Sequence, residues 1–530
     1  MRIHELSARE LRDKLDGGEL SSVDVVRALR QRANQLNEIL VGFVVERWDE
    51  LETEAADADR ERRDGAAKGP LHGIPVSIKE SLDVRGMETT LGFPAWRGAP
   101  KESDAVVVAH LRKAGALILG KTNVPQSLLS PLETTNPIWG TSRNPWSTDR
   151  APGGSSGGEG VVLASGMSPL GLGTDVGGSI RLPAAFCGVS GLKPTANRWS
   201  NLGSGTPLAG QEFVKAQTGP MARSAHDVAF LWGALDPRSM AREDGAVPPL
   251  PPGDPDAVDL RGLTVGYYDA DGFLEPSPAV RRAVREAVRA LEGRGARTVQ
   301  VRPSNADNIL YTYLAAVSAD GGKNMERHLA GSGVIDPLRL VKLVVDMPHA
   351  ARIAAARGLK LAGEARVARL LDVVGGKNVD AFWALAAERD RMAREENGEW
   401  NQAGLDALVC PAQMTPAIPH GSGKDFILAF SYAARWNFLN RPAGVVPVTT
   451  VRPGEEMREK VRDRVDKRAK AVEKGSEGLP IGVQVVGRPW REEVVLAVMM
   501  AIEDGARPHP DFPKTPITPD GHSKPPPRPV

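Results

Sequence analysis

The sequence predicts an α/β protein in which helices cover a β-sheet, and three observations lead to this prediction. Short β-like runs, IPVSI at 74–78 and ALILG at 116–120, alternate with helical patterns such as AVVVAHLRKAG. Two further β-like runs, GVVPVTTV at 444–451 and PIGVQVVG at 480–487, come late in the chain. Hydrophobic residues make up 41% of 530 residues, which is enough for a large core. Such alternation is typical of a sheet with helical layers.

The remaining elements follow from local patterns, taken in chain order. Residues 7–66 carry apolar side chains at helical spacing and predict two or three helices, with Ser21 or Ser22 as an N-cap. Turn-forming residues fill 145–158. The segments that follow predict a helix (EGVVLASG), an extended run (SPLGLGT) and a second helix (SIRLPAAFCG). Residues 300–400 are predicted to be mostly helical.

The end of the chain predicts features outside the sheet. The two late β-like runs are joined by the densely charged EEMREKVRDRVDKRAKAVEKGSEG, which predicts a solvated helix. The last two dozen residues are rich in proline and predict an extended tail without a core of its own. We therefore divide the chain into an N-terminal helical segment packed on the core (1–66), a main domain (67–505) and a tail (506–530).

Composition excludes several classes of protein. Lys and Arg number 67 against 66 Asp and Glu, so no overall charge favours nucleic acid as a partner. Cys187 and Cys410 lack the spacing of a disulfide framework or a zinc site, which fits a reducing compartment. The charged N-terminus lacks the apolar core of a signal peptide, and the apolar runs are too short to span a membrane. We therefore expect a cytoplasmic protein without a transmembrane segment.

Three serines lie in glycine-rich segments: Ser155 and Ser156 in RAPGGSSGGEG, and Ser179 in GTDVGGSIR. GGSSGG fits a mobile linker, and it fits a phosphate-binding loop less well because no GK[ST] follows. Gly154, Ser156 and Gly158 also match the G-x-S-x-G nucleophile pattern, which requires a strand directly before the serine. The preceding residues predict a loop instead. The local sequence leaves these alternatives open.

Ser179 is a candidate nucleophile by its position after Gly177 and Gly178 at the start of a predicted helix. Free backbone N–H groups there would converge near its hydroxyl and form an oxyanion hole. Each such donor is worth roughly 3 kcal/mol in a transition state. The alternative is that Ser179 is only the N-cap of the helix, the commonest reason for a serine at that position.

Lys79 is the candidate base, because the histidines offer no clear one. His72 and His226 are interpreted as packing or surface residues. A lysine acts as a base when burial lowers its pKa from about 10.4 towards about 7–8. Lys79 ends the apolar run IPVSI, where it could be drawn into the core. The alternative is an exposed lysine at the end of a strand.

Three segments in order, GPLHGIPVSIKE, GGSSGGEG and GLGTDVGGSIRLPAAFCGVSGLKPT, resemble the signature of the amidase signature family. The resemblance implies that family's α/β/α fold, a central mixed twisted sheet covered by helices on both faces, with 67–505 as its catalytic domain. It also implies a Ser–Ser–Lys triad. Ser179 would be the nucleophile, Ser155 the bridging serine after a cis peptide at Gly154, and Lys79 the base.

The resemblance implies further roles around these three residues, and it implies no metal and no organic cofactor. Oxyanion donors would be the backbone amides of a short turn, and supporting side chains would flank it. The donors are Val176, Gly177, Gly178 and Ser179, and the supporting residues are Thr174, Asp175 and Arg181.

Within the family, several segments most resemble fatty acid amide hydrolases: TNVPQSLLS, MSPLGLGTDVGGSIR, RPAGVVPVTTV and GRPWREE. This implies a lipid-like N-acyl amide substrate, with Leu128 and Leu129 beside it. Residues 334–374 mix aliphatic with basic side chains and are predicted either to wall an acyl channel with a basic, membrane-tolerant rim or to be ordinary amphipathic helices. Peripheral membrane contact and a homodimer are expected on the same ground.

Three alternative functions stay open at this point. An amidotransferase A subunit shares the triad but passes ammonia to a partner subunit, and the charged segment between the late strands argues against it. A short-chain or aryl amidase would use the same residues on a different substrate. A non-catalytic binding protein on the same fold is disfavoured, because Lys79, Ser155 and Ser179 are all present.

Overall fold

Eleven strands form one mixed sheet in the part of the chain described by the computed structural model, residues 2–424 and 426–519. In chain order the strands are β1 (Phe43–Glu46), β2 (Pro75–Lys79), β3 (Leu117–Thr122), β4 (Thr135–Asn136), β5 (Gly140–Thr141), β6 (Leu170–Asp175), β7 (Ser190–Lys193), β8 (Gln217–Ala222), β9 (Thr264–Tyr267), β10 (Arg297–Gln300), β11 (Ala407–Pro411), β12 (Ala443–Thr450) and β13 (Pro480–Gly487). The order of the strands across the sheet is β1-β3-β2-β6-β8-β7-β12-β13-β11-β9-β10, and β4 pairs with β5 in a separate ribbon. Neighbours β3, β2 and β6 run parallel, as do β11, β9 and β10, and the other pairs are antiparallel.

Helices occupy the connections between these strands. In chain order they are α1 (Ala8–Asp16), α2 (Ser22–Leu40), α3 (Trp48–Arg63), α4 (Val106–Lys113), α5 (Gly157–Ala164), α6 (Arg181–Cys187), α7 (Ala225–Gly233), α8 (Pro237–Met240), α9 (Pro278–Gly293), α10 (Ala306–Val317), α11 (Lys323–Leu329), α12 (Asp336–Asp346), α13 (His349–Leu361), α14 (Ala365–Val373), α15 (Val379–Gln402), α16 (Ser431–Phe438), α17 (Arg464–Glu473) and α18 (Glu492–Ala506).

Helices lie on both faces of the sheet. Successive residues of a strand point to opposite faces. A Cβ atom on Gly444 of β12 would lie 2.2 Å from Met499 Sδ, so this face carries α18. The next residue, Val445, faces Gly482 of β13, where an added Cβ would lie 3.5 Å from the backbone of Ala185 in α6. The predicted α/β fold with a mixed sheet between helical layers is confirmed.

The N-terminal segment contains the predicted helices and one strand that was not predicted. Ser21 caps α2: its hydroxyl accepts from the backbone N–H of Asp24, whose side chain accepts from the N–H of Ser21. The short run Phe43–Glu46 pairs antiparallel with β3 and forms an edge of the sheet. Its four residues lie between two strongly helical patterns, so the alternation that marks a strand is too short to recognise.

The prediction of a solvated helix between β12 and β13 is right for ten residues, α17, which exposes Arg464 and Lys467 but buries other charges that were expected to be solvated. Arg458 Nε lies 2.9 Å from Glu473 Oε1, and both side chains are buried. Asp466 is buried as well and accepts from Arg366 of α14 at 2.7 Å. These side chains can be buried as charged groups because each has an opposite charge beside it.

The first part of the proline-rich tail packs on the N-terminal helices. Arg32 of α2 donates to the carbonyl of Ile517 at 3.1 Å and to the Thr518 hydroxyl at 2.8 Å. The N–H of Ile517 donates to the carbonyl of Ala164 at 2.8 Å. Residues 520–530 of the predicted tail lie outside the described residues. None of the described helices has both the length and the apolar character that crossing a bilayer requires.

Candidate active site

Three parallel strands end at the same edge of the sheet and bring polar residues together. Lys79 is the last residue of β2, Thr122 the last of β3 and Asp175 the last of β6. Lys79 and Thr122 are directly paired across the two strands. The carboxyl ends of parallel strands are where α/β proteins commonly place their ligand sites. The candidate residues therefore meet at the edge of the sheet that suits a binding site.

Lys79 is buried at this edge and contacts two hydroxyl groups. Its Nζ lies 2.7 Å from Ser155 Oγ, 2.8 Å from Thr174 Oγ1 and 3.2 Å from the Thr174 carbonyl oxygen. Burial lowers the pKa of Lys79 to about 7, although the carboxyl groups of Asp175, Glu159 and Glu80 act in the opposite direction. The alternative of an exposed lysine at a strand end is wrong.

Ser155 lies in a packed turn, so the mobile-linker alternative for GGSSGG is also wrong. The peptide bond between Gly154 and Ser155 is cis, and Ser155 is 2% exposed. A Cβ atom on Gly154 would lie 2.2 Å from the carbonyl oxygen of Ser130, so only glycine fits there. Helix α5 begins at Gly157, directly after the two serines.

Ser156 does not occupy a nucleophile elbow. No strand precedes it, and its hydroxyl is buried against the backbone of Thr174, 3.3 Å from the carbonyl oxygen. Its backbone N–H donates to the carbonyl oxygen of Ser179 at 3.0 Å. Ser156 therefore joins the two serine-bearing segments, while the hydroxyl of its neighbour Ser155 faces Lys79.

Ser179 lies in the turn between β6 and α6 and is not the N-cap of the helix. Helix α6 begins at Arg181 with Ile180 at the N-cap position, so the N-cap alternative is wrong. Ser179 and Ser155 line one cavity of about 330 Å³, together with Thr174. No hydrogen bond joins the Ser155 and Ser179 hydroxyls within residues 2–424 and 426–519. Such contacts are often loose without substrate.

A buried ion pair fixes the turn that carries Ser179. Asp175 and Arg181 are both fully buried, with Arg181 Nη2 2.9 Å from Asp175 Oδ1 and Nε 3.0 Å from Oδ2. The same carboxylate accepts from the backbone N–H of Gly178 at 2.8 Å and of Ile180 at 3.0 Å. Burial alone would raise the pKa of Asp175, but the charge and hydrogen bonds of Arg181 hold it well below its usual range.

One of the four amides predicted as oxyanion donors is already engaged. The N–H of Gly178 points at Asp175 rather than into the cavity. For the N–H groups of Val176, Gly177 and Ser179, the described residues supply no acceptor. Assigning all four amides from a motif overlooks that a tight turn aims neighbouring N–H groups in different directions.

Two apolar cavities extend from the candidate nucleophile. The first, about 160 Å³, joins Ser179, Leu128 and Leu129 to the aliphatic side chains of α10, α12 and α14. The second, about 390 Å³, shares five lining residues with the first and reaches α17. The shared residues are Val341, Val345, Leu370, Val374 and Ile427. Most of these belong to the segment 334–374, which therefore walls both cavities.

The basic side chains of 334–374 do not form one continuous solvated face. Arg352 is buried, and Arg366 pairs with Asp466. Arg369 lies 2.6 Å from Asp307 and stacks over the ring of Tyr311. The basic side chains left exposed or half-exposed are Arg339, Lys342, Arg357 and Lys360.

Sequence reasoning missed two residues of the site. Tyr313 of α10 donates from its hydroxyl to the carbonyl of Val176 at 3.0 Å and so supports the turn. Glu159 of α5 is fully buried near Lys79. A lone acid within GGSSGGEG and before an apolar run was a readable signal for Glu159, whereas nothing marks Tyr313 within its helix. The histidines are as interpreted: His72 is buried on the Ala58 carbonyl, and half-buried His226 contacts a surface aspartate.

Comparison with known proteins places this site in a family. The amidase family model matches residues 24–496. The chain is 36% identical over 500 residues to fatty-acid amide hydrolase 1 of Sus scrofa, covering 93% of this chain and 84% of that protein. It is 34% identical over 517 residues to fatty acid amide hydrolase 1 of Caenorhabditis elegans, covering 94% and 88%. A solved fatty acid amide hydrolase structure superposes with a TM-score of 0.82 at 29% identity, covering 95% of this chain and 85% of that one. The chain belongs to the amidase signature family and is an amide hydrolase.

Proposed function

We propose that this amide hydrolase cleaves N-acyl amides with medium-length to long acyl chains, through an acyl-enzyme on Ser179 and a Ser–Ser–Lys triad. The observation that carries the proposal is the cavity arrangement: Ser179, Leu128 and Leu129 border both an apolar cavity and a second cavity that contains Ser155 and several other polar side chains. An acyl chain fits the apolar side, and the amine fits the polar side.

The contacts support a defined path for the proton. Neutral Lys79 takes a proton from Ser155, which takes one from Ser179 as the Ser179 oxygen attacks the amide carbonyl carbon. The carbonyl oxygen becomes negative and is stabilised by N–H groups of the turn, chiefly those of Val176, Gly177 and Ser179. The relay then runs backward to protonate the departing amine as the C–N bond breaks. Water attacks the ester by the same path and releases the acid.

The acyl-chain preference rests on the aliphatic walls of the two cavities. Each methylene buried in such a wall contributes about 0.8 kcal/mol, which is roughly fourfold in kcat/KM until the channel is filled. The relatives named as fatty acid amide hydrolases support the same preference. A cytoplasmic location, peripheral membrane contact through the surface of 334–374, and a homodimer stay predictions from the sequence.

Hydrolysis by the purified chain and two serine variants tests this proposal. We expect release of amine from an N-oleoyl amide by the wild type, and a loss of at least about a thousandfold in Ser179→Ala. Ser156→Ala is the matched control, since Ser156 lies directly before α5 and its hydroxyl contacts backbone only. It should keep most of its activity. Full activity in Ser179→Ala with loss in Ser156→Ala would overturn the assignment of the nucleophile.

The rival amidotransferase subunit is separated by the same assay. Such a subunit passes ammonia to a partner, whereas the proposed hydrolase needs none. Turnover of an N-acyl amide by the purified chain alone supports the hydrolase. Turnover of glutamine only, and only with a second protein present, would overturn it.

A further inference from the structure

The buried carboxyl group of Glu159 contacts β2 at Ser77, two residues before Lys79. Ser77 and Lys79 of β2 are two residues apart, so their side chains point to the same face of the sheet. On that face, Ser77 Oγ lies 2.7 Å from Glu159 Oε2, and Lys79 Nζ lies 2.7 Å from Ser155 Oγ. The five-residue stretch from Ser155 to Glu159 thus contacts β2 at two neighbouring positions.

The carboxyl group occupies a cavity fitted to it. Glu159 is 0% exposed. Thr122 Oγ1 lies 2.8 Å from Oε1, and Ser77 Oγ lies 2.7 Å from Oε2. A Cβ atom on Gly171 of β6 would lie 2.1 Å from Oε2, so the space exists because this strand residue has no side chain. Residues from three adjacent strands therefore enclose the group.

Three carboxyl groups act on Lys79, and they differ in their hydrogen-bond partners. Asp175 accepts from Arg181 and from backbone N–H groups, which can only donate, so it must be ionised. Glu80 accepts from the backbone N–H groups of Thr90 and Leu91, and Lys121 lies nearby.

The contacts of Glu159 within the described chain are both hydroxyls, which can accept as well as donate. Ser77 Oγ also lies 3.2 Å from the carbonyl oxygen of Leu170. Its oxygen can therefore accept a hydrogen bond from the O–H of a carboxylic acid at Glu159, while its own hydrogen is donated to the Leu170 carbonyl oxygen. The geometry accommodates a neutral acid without leaving a polar atom unpaired.

We propose that Glu159 is a positioning residue held as a neutral carboxylic acid, which binds α5 to β2 and β3 and leaves Lys79 able to be neutral. The inference rests on the proposed function, since it concerns the base of that mechanism. Burial raises the pKa of Glu159 to about 8, which favours the neutral carboxylic acid at neutral pH and agrees with its contacts.

An ionised Glu159 would act differently. Its negative charge, with little water between, would stabilise the ammonium form of Lys79. The base would then hold its proton at neutral pH, and the rise of kcat/KM with pH would move to higher pH. The charge of Glu159 therefore shifts the pH at which the enzyme becomes active.

The test compares the pH dependence of kcat/KM in the wild type, Glu159→Gln and Glu159→Ala. A glutamine amide has the acceptor and donor of a neutral acid in the same shape. Glu159→Gln should therefore keep the midpoint of the rise within about 0.3 pH unit and kcat/KM within about threefold. Glu159→Ala removes the contacts between α5 and the strands and should lose at least about tenfold.

Two results would overturn the inference. The first is a midpoint of the kcat/KM profile in Glu159→Gln that lies at least about one pH unit lower, because this indicates that a negative charge was lost. The second is a kcat/KM in Glu159→Ala equal to that of the wild type. Infrared difference spectra between the wild type and Glu159→Gln at neutral pH provide a second readout. They should contain the C=O stretch of a buried protonated carboxylic acid that only the wild type has, and its absence would also contradict the inference. Failure of the proposed function is distinguishable, because it would appear as activity remaining in Ser179→Ala.

Discussion

In the serine–lysine centre (Lys79, Ser155 and the turn to Ser179), Lys79 and Asp175 are fixed by short polar contacts, whereas the channel helices α10, α11, α12 and α14 offer mainly aliphatic surface. Lys79 contacts Ser155 and Thr174 within 2.8 Å, and Asp175 holds the turn through Arg181 and two backbone amides. The channel helices instead leave two adjoining cavities of about 160 and 390 Å³. Under the proposed function, we expect activity at the centre to depend on the identity of single atoms, and selectivity in the channel to depend on shape and volume.

The centre also carries a cost in folding stability, because Lys79 is buried. Withdrawing Lys79 from water lowers its pKa from 10.5 to about 7. At about 1.36 kcal/mol per unit, a shift of that size opposes folding by several kcal/mol. The surrounding strands and the fixed turn must offset it. The residues lining the two channel cavities are mostly aliphatic, so exchanging one aliphatic side chain for another there should cost little. Substitutions should therefore abolish activity in the centre and change selectivity in the channel.

Removing the proposed base, Lys79, should give the largest loss of kcat/KM. Lysine accepts a proton only when neutral, so wild-type kcat/KM should be low at acid pH and rise as pH passes about 7. Lys79→Ala should lose at least about a thousandfold at pH 8 and flatten that rise.

Lys121→Met is the matched control for this measurement. Lys121 is also buried, with its pKa lowered to about 8 by burial, but it contacts Thr89 rather than the serines. Its pH profile should keep the wild-type shape. A flat profile in Lys121→Met, with the rise preserved in Lys79→Ala, would exchange the roles of the two lysines.

Removing the charge of Asp175, which holds the turn of Ser179 through Arg181, should give a smaller but still large loss of kcat/KM. Asp175→Asn keeps the shape of the side chain but leaves Arg181 buried without its counter-charge. We expect roughly a hundredfold loss of kcat/KM, because small displacements of a nucleophile have large kinetic costs. A lowered unfolding temperature should accompany it.

Asp504→Asn, which changes a half-buried pair with His226 near the surface, is the control and should leave both quantities near wild type. A well-folded Asp175→Asn with unchanged kinetics would mean that the turn keeps its shape without the ion pair.

The acyl-chain series should give the smallest effect and concerns the channel alone. On one amine, amides with medium-length to long acyl chains should exceed acetyl amide by about a hundredfold in kcat/KM. Val341→Trp, which fills the region shared by both cavities, should remove most of this advantage while short amides react normally.

Leu343→Trp, two residues on in the same helix, is the control because Leu343 is 60% exposed. It should leave the series unchanged. A flat wild-type series, or one that favours acetyl, would remove the channel assignment and leave the centre untouched.

The two regions also differ in how far the sequence predicted them. Ser155 and Ser179 stand in glycine-rich segments and Lys79 ends an apolar run, and the resemblance to the family pattern singled out all three as candidates. The same motif could not show that the N–H of Gly178 points at Asp175, since this depends on the turn geometry. It also said nothing of Tyr313, which reaches the turn from a helix more than a hundred residues away.

In the channel, sequence located the segment but not its surface. Arg352 and Arg366 look like parts of a solvated basic face when only their spacing is known. In the structure Arg352 is buried and Arg366 pairs with Asp466 from the charged segment after β12. Spacing did not reveal these contacts: Arg366 pairs across the two segments, while Arg458 pairs with Glu473 inside the charged segment itself. The periodicity of a sequence does not reveal ion-pair partners that are distant in the chain.

Covalent labelling with a fluorophosphonate, followed by peptide mass spectrometry, tests the central claim most directly. Such a reagent phosphonylates a serine whose hydroxyl is activated by a neighbouring base. We predict a single adduct on Ser179, absent from Ser179→Ala and formed much more slowly in Lys79→Ala. An adduct on Ser156, or labelling of Ser179 at an equal rate without Lys79, would contradict the serine–lysine mechanism.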